Sequence, residues 1–389
     1  MKALRPTLPL LLSLALVGAS AASAAPKPPA VSAVERPTRG PSTLEPELEQ
    51  AAARLLRTAK PVEGAIVAIE PRSGRVLAFE ALTSSGGTHA TLTRARLPAA
   101  SLFKIVTTTA LFEHTALSPQ DEVCINGGMH GIERRHLEPA RGPGSECGRF
   151  AWALGNSKNA VFAQLATRLL TRADLLATAE KLGFNAPLLL DGEARADLGK
   201  LSLPYNDLEF ARAAAGFQGS SLSPLGAAYL MTLIARGGVP VDLRLHDDEA
   251  DGEAPATLPP DTSPVFSART AQRLTRMLEV TVETGTSRAA FTAADGKRYL
   301  PGIRVAGKTG TLRPGPSDET MTSWFVGFAP SRNPEIVVSV MLVNGRTYRR
   351  KANELARDLL RAYFRAHGRA QTVSDPFAAS EPLAVAVSR

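Results

Sequence analysis

Three short runs in this chain bring together residue types that can do nucleophilic chemistry: Ser101-Leu102-Phe103-Lys104, Ser157-Lys158-Asn159 and Lys308-Thr309-Gly310-Thr311. A serine hydroxyl is a weak nucleophile and needs a base beside it. Ser101 and Lys104 stand three positions apart at the start of a stretch that reads as a helix, so their side chains share a face. A lysine amine serves as that base when burial and a second cation lower its pKa. A helix N-terminus adds partial positive charge where an oxyanion would form. The following residues Ile105, Val106, Ala110 and Leu111 are apolar, and a lysine set among them needs a reason.

In the second run the Ser157 hydroxyl can relay a proton between a lysine and a leaving amine, and the Asn159 carboxamide can hold a substrate amide. A second match, Ser331-Arg332-Asn333, falls between two strands and reads as turn chemistry. In the third run Gly307 and Gly310 imply close backbone approach by a ligand. Lys308 would place a cation near the nucleophile, Thr309 and Thr311 suit a carboxylate, and the Thr311 amide can complete an oxyanion hole. Singly these runs are short: a Ser-x-x-Lys arises about once by chance in a chain of this length, a Lys-Thr-Gly roughly one time in twenty. It is their order, on helix, loop and strand, that carries the reading.

Those residues need a scaffold, and hydrophobic periodicity supplies one. Gly64–Glu70 and Arg75–Ala81 read as a hairpin around Pro71–Gly74, and Ser323–Pro330 and Glu335–Asn344 as another. Ile303–Leu312 reads as a strand beside the second. A helix opens at Pro46, with Leu48, Ala52, Leu55 and Leu56 on one face, and another runs over Lys351–His367. Ala100–Leu117, Ala160–Leu170, Arg172–Leu182 and Leu225–Arg236 read as helices between them. The expected class is α+β, with an antiparallel sheet of about five strands from the two ends of the chain. A mainly helical lobe, about residues 100–265, would form the second half, with the site in the cleft between them. Asp242–Pro264 is acidic and reads as an exposed excursion, and residues 367–389 as a flexible tail.

The chain has 389 residues, 44% of them hydrophobic and 21% charged, and a formal net charge of +8. The basic residues are mostly scattered, with no Lys/Arg run longer than Arg349-Arg350-Lys351, which argues against nucleic acid as a partner. A basic exterior also suits an acidic polymer. Residues 1–24 read as an export signal: Lys2 and Arg5, then apolar Leu8–Gly18, then Ala22-Ser23-Ala24. Pro6–Ala25 is uncharged, so the segment is either cleaved or retained as a membrane anchor. Residues 25–42 are Pro-rich and read as a linker. The only cysteines, Cys124 and Cys147, lie in the exported part and read either as a disulfide across a Gly-rich loop or as two buried thiols. Their number does not make a metal site. The six histidines are expected at the surface or in loops.

The set of motifs resembles the transpeptidase domain of penicillin-binding proteins. The likeness covers about residues 43–366, from TLEPELEQAAARLL and GAIVAIEPRSGRVLAFEA through LPAASLFKIVTTTALFE, ALGNSKNAVFAQLATRL and GFQGSSLSPLGAAYLMTLIARGG to VAGKTGT and SWFVGFAPSRNPEIVVSVMLVNG. The resemblance implies the β-lactamase/transpeptidase-like fold. It also implies attack by Ser101 on the carbonyl of a D-Ala-D-Ala stem peptide of peptidoglycan, or on a β-lactam antibiotic mimicking it. Lys104 would take the serine proton, and Ser157 and Lys308 would protonate the departing D-Ala. The amides of Ser101 and Thr311 would hold the oxyanion. Asn159, Thr309, Gly310 and Thr311 would bind substrate. No metal or organic cofactor is implied. Leu312 departs from the small residue common after this motif. Two rivals are a serine β-lactamase, for which Glu180 is an unconvincing deacylating carboxylate, and a non-catalytic module binding wall peptides or β-lactams.

Overall fold

The computed structural model describes residues 40–83, 88–140, 142–192, 194–247, 263–313, 319–368 and 385–386. Strands β1 (Glu63–Ile69) and β2 (Val76–Thr83) form the first hairpin. Strands β3 (Ala306–Leu312), β4 (Met321–Ala329) and β5 (Ile336–Asn344) form a meander. β5 pairs antiparallel with β1, so the two groups make one five-stranded sheet of order β3-β4-β5-β1-β2. Neither group could stand alone in water; joined, they bury both faces. Alternation along β1 divides its side chains cleanly: Ala65, Val67 and Ile69 enter one core, while Ile66 and Ala68 enter the other.

Helix α1 (Pro46–Ala59) starts at a proline, whose missing N–H costs nothing in a first turn, and buries Leu48, Ala52 and Leu56. It covers the outer face of the sheet together with the last helix, Ala352–Ala366, which buries Leu355, Leu359, Leu360 and Phe364. The inner face packs on the helical lobe. There the Ser101 run begins with a tight turn, Ala100–Leu102, and continues as α2 (Phe103–His114). Helices α3 (Phe150–Gly155) and α4 (Asn159–Leu169) flank Ser157. Helix α5 (Pro224–Ala235) is buried along nearly all its length and lies against the sheet.

Several expectations are corrected. The stretch beginning at Asp242 is not wholly an exposed excursion: Leu243 is buried, and Arg244 and His246 bridge to Arg75 and Ser42. Residues 248–262 lie outside the described ones. Pro41 and Ser42, though exposed, are tied by backbone contacts to this stretch, the Asp247 N–H donating to the Pro41 carbonyl; the signal and the linker to residue 39 lie outside the described residues. In the tail, Val385–Ala386 pair with Thr347–Tyr348. His136 lies in the loop between the cysteines, as expected, but is buried there, and its Nδ1 accepts the Glu133 N–H. A long amphipathic helix, α6 (Ala268–Glu283), follows residue 265 and packs on α3 and β3.

Candidate active site

Ser101 owes its position to a sharp bend. Ala100 takes a left-handed φ of 50°, a conformation sparsely populated for a residue with a Cβ. Gly216 lies against it so closely that a Cβ there would meet the Ala100 carbonyl oxygen at 2.1 Å, and Gly216 itself has a φ of 86°. No other residue fits. The bend also places Ala215 where its carbonyl faces Lys104. The Lys104 Nζ lies 2.8 Å from Ser101 Oγ, donates to the Ala215 carbonyl at 2.6 Å, and sits 5.6 Å from the centroid of Phe162.

The Lys308 Nζ lies 3.1 Å from Ser157 Oγ and donates to the Thr309 carbonyl at 2.9 Å. Ser157 is held in the left-handed region, φ 56°, between α3 and α4. Both lysines are wholly removed from solvent. Burial disfavours an ammonium. It pushes the Lys308 amine down to about 7. Burial, and then the charge of Lys308, hold Lys104 well below the ordinary lysine range. Each hydroxyl is thus backed by an amine whose charged form burial disfavours.

The sheet edge completes the arrangement. Gly310 faces inward, where a Cβ would press on Leu102, Trp324 and the Ala99 carbonyl at 3.3–3.4 Å. It acts as a spacer that lets β3 close on the Ser101 bend and does not line the cavity. Trp324 Nε1 donates to the Pro98 carbonyl at 3.0 Å and ties β4 to the same bend. A cavity of about 700 Å³ opens in front, lined by Ser101, Ser157, Asn159, Thr309 and Thr311, with Lys104 and Lys308 buried behind. Asn159 Nδ2 donates to the Met129 carbonyl at 2.5 Å.

The sequence reading missed part of this wall. Thr286 Oγ1 lies 2.6 Å from Thr309 Oγ1. It is brought there by Gly285, whose missing side chain lets the loop after α6 reach the Gly155 carbonyl; the glycine between two threonines was the available signal. The opposite wall is a ribbon, Glu122–Ile125 paired with Glu146–Arg149, closed by a disulfide between Cys124 and Cys147. Ile125, Met129 and Glu146 of this region line the cavity.

The buried Lys308 has a consequence for stability. Its folded pKa, about 7, lies below the 10.5 of a free lysine, so between those values the unfolded chain binds more protons. Stability therefore rises with pH from about 7 towards 10.5. Lys308→Met is expected to flatten this rise, measured by urea unfolding at several pH values across the interval; an unchanged slope would show that the amine is not buried as a base.

An antiparallel sheet packed on a helical lobe, with a serine and two buried lysines at the seam, defines the class of lysine-assisted serine-nucleophile sites. The chain matches the penicillin binding protein transpeptidase domain over residues 64–361 and belongs to that family. It is 25% identical over 342 residues to peptidoglycan D,D-transpeptidase PbpA of Mycobacterium tuberculosis, covering 78% of this chain and 67% of that protein. The D,D-transpeptidase domain of a peptidoglycan glycosyltransferase from Eggerthella lenta superposes with a TM-score of 0.64 at 26% identity, over 84% of this chain and 82% of that one. Penicillin-binding protein A of M. tuberculosis, solved as its imipenem acyl-enzyme, has the same fold, with a TM-score of 0.65 at 21% identity over 83% and 79% of the chains.

Proposed function

We propose that this chain is a peptidoglycan D,D-acyl transferase that works through an acyl-enzyme on Ser101 and is acylated there by β-lactams. The observation that carries this reading is the 2.8 Å separation of Ser101 Oγ from a wholly buried Lys104 Nζ. A neutral amine has one lone pair and two hydrogens. One hydrogen goes to the Ala215 carbonyl, and the lone pair receives the Ser101 proton as the hydroxyl attacks. The helix start and the β3 edge present backbone N–H groups to the oxyanion. Ser157, backed by Lys308, returns a proton to the leaving amine. Thr309 and Thr311 receive the substrate carboxylate, and Asn159 the amide of the acyl donor.

The activity of the mycobacterial relative supports a D-Ala-D-Ala peptide as donor. Glu180 is exposed on its helix and does not line the cavity, which favours a long-lived acyl-enzyme over a β-lactamase. Residues 43–366 act outside the cytoplasm in this reading, delivered by residues 1–24. Membrane contact follows only if that segment is retained. Among the described residues no helix is long and apolar enough to cross a membrane.

The test is to incubate the full chain with a fluorescent penicillin and follow intact mass over time. A stable one-to-one adduct mapped to Ser101 supports the reading. A transient adduct with drug consumed would mean a β-lactamase, and neither adduct nor drug loss a non-catalytic module. Carboxylate recognition is read separately. Thr311→Val is expected to raise the penicillin concentration for half-maximal acylation about tenfold, as befits a lost hydrogen bond to a charged group. An unaltered concentration would remove Thr311 from that role.

A further inference from the structure

The turn that presents Ser157 is held from outside by the disulfide-closed ribbon. A serine at positive φ persists only where its surroundings over-determine it. Two backbone bonds do part of this, Ser157 N–H to the Leu154 carbonyl at 3.1 Å and Lys158 N–H to the Ala153 carbonyl at 2.9 Å. The side chain next to Ser157 does the rest. Lys158 Nζ donates to both oxygens of Glu146, at 2.7 and 2.8 Å, and lies 4.8 Å from the centroid of Trp152. Glu146 stands beside Cys147 and opposite Ile125 in the ribbon. The ribbon rests on that same tryptophan, since a Cβ on Gly148 would meet the Trp152 ring at 2.6 Å. The contacts therefore close a ring: Glu146 to Lys158, Lys158 to Trp152, Trp152 to Gly148, and back along the chain to Glu146.

The geometry points to Glu146 as a positioning residue for the acyl transfer: through its ion pair with Lys158 it fixes the turn that aims Ser157 Oγ at Lys308 Nζ. This rests on the roles proposed above for Ser101, Ser157 and Lys308. Glu146 is the only carboxylate among the described residues lining the cavity. Its side chain is 53% exposed, while that of Lys158 is 13% exposed. A half-exposed ion pair of this kind adds little to global stability. What it can set is the placement of a hydroxyl, and a misplacement of about 1 Å costs on the order of a hundredfold in rate. The effect should therefore appear in the chemical step and not in the melting temperature.

The experiment is stopped-flow acylation of the full chain by a fluorescent penicillin, resolving the limiting rate from the half-saturating concentration. Glu146→Gln keeps the size and removes the charge. It is expected to lower the limiting rate by about tenfold or more, with half-saturation within about twofold and an unchanged melting temperature. The charge-swapped double variant, Glu146→Lys with Lys158→Glu, is expected to recover most of the rate, which ties the effect to the contact between the two side chains and not to either charge alone. A wild-type limiting rate in Glu146→Gln, or a double variant as slow as its parents, overturns the inference alone. Failure of the wild-type chain to form any adduct overturns the acyl-enzyme reading and the inference with it.

Discussion

Replacing Ser101 by alanine is expected to abolish the covalent penicillin adduct while moving the melting temperature by no more than about 3 °C. The substitution deletes one oxygen atom. That atom's neighbour, Lys104 Nζ, keeps its bond to the Ala215 carbonyl, so no buried amine is left without a partner. The bend at Ala100 is set by backbone and by Gly216, which the substitution does not touch. Intact mass before and after hours with excess penicillin, beside a thermal melt, reads both quantities. Labelling that persists in the variant would move the nucleophile elsewhere and end the assignment of Ser101.

The second large effect is expected at Lys104. Lys104→Met should slow acylation by about 10²- to 10⁴-fold, the usual contribution of a positioned general base. Lys104→Arg should be as slow, although it keeps a positive charge, because a guanidinium does not deprotonate at accessible pH. This pair of variants separates a base from an electrostatic partner. Were Arg to retain wild-type acylation, charge beside Ser101 would be the requirement, and proton transfer would have to go through Ser157 and Lys308. The methionine variant is expected to melt no lower than wild type, since it removes an amine whose charged form burial opposes.

Much of the fold was legible because it is local. Each hairpin of the sheet announces itself by alternation and a turn, and the helices Pro46–Ala59 and Ala352–Ala366 by an apolar stripe. That the two groups join in one sheet followed from the insufficiency of either alone, while the pairing of β5 with β1 came only from the structure. Helix α6 was missed although its buried Ala271, Leu274, Met277, Leu278 and Val282 recur at helical spacing, so its signal stood in the sequence unread. The acidic run from Asp242 misled because the apolar Leu243 and the bridging Arg244 precede most of its carboxylates.

In the site, the pairings Ser101–Lys104 and Ser157–Lys308 are within or between the motifs that suggested them. Gly310 entered the reading as a substrate contact, but it faces Leu102 and Trp324, a matter of which side of β3 packs inward. Gly216, Thr286 and Glu146 were not foreseen. Gly216 and Glu146 are placed by a close approach between segments or by the register of a ribbon, which local residue types do not write; for Thr286 the glycine before it was the one local sign.

The two solvent-free lysines also bear on how such a chain would respond to selection. Most natural proteins sit a little above the stability they need, and stabilising substitutions usually come at some expense of function. Here the conflict is concentrated in two codons. A library enriched only for heat resistance near pH 7 would collect apolar replacements at Lys104 and Lys308, and so would drift towards well-folded chains that no longer acylate. Directed evolution of this scaffold therefore needs a penicillin-capture step in every round.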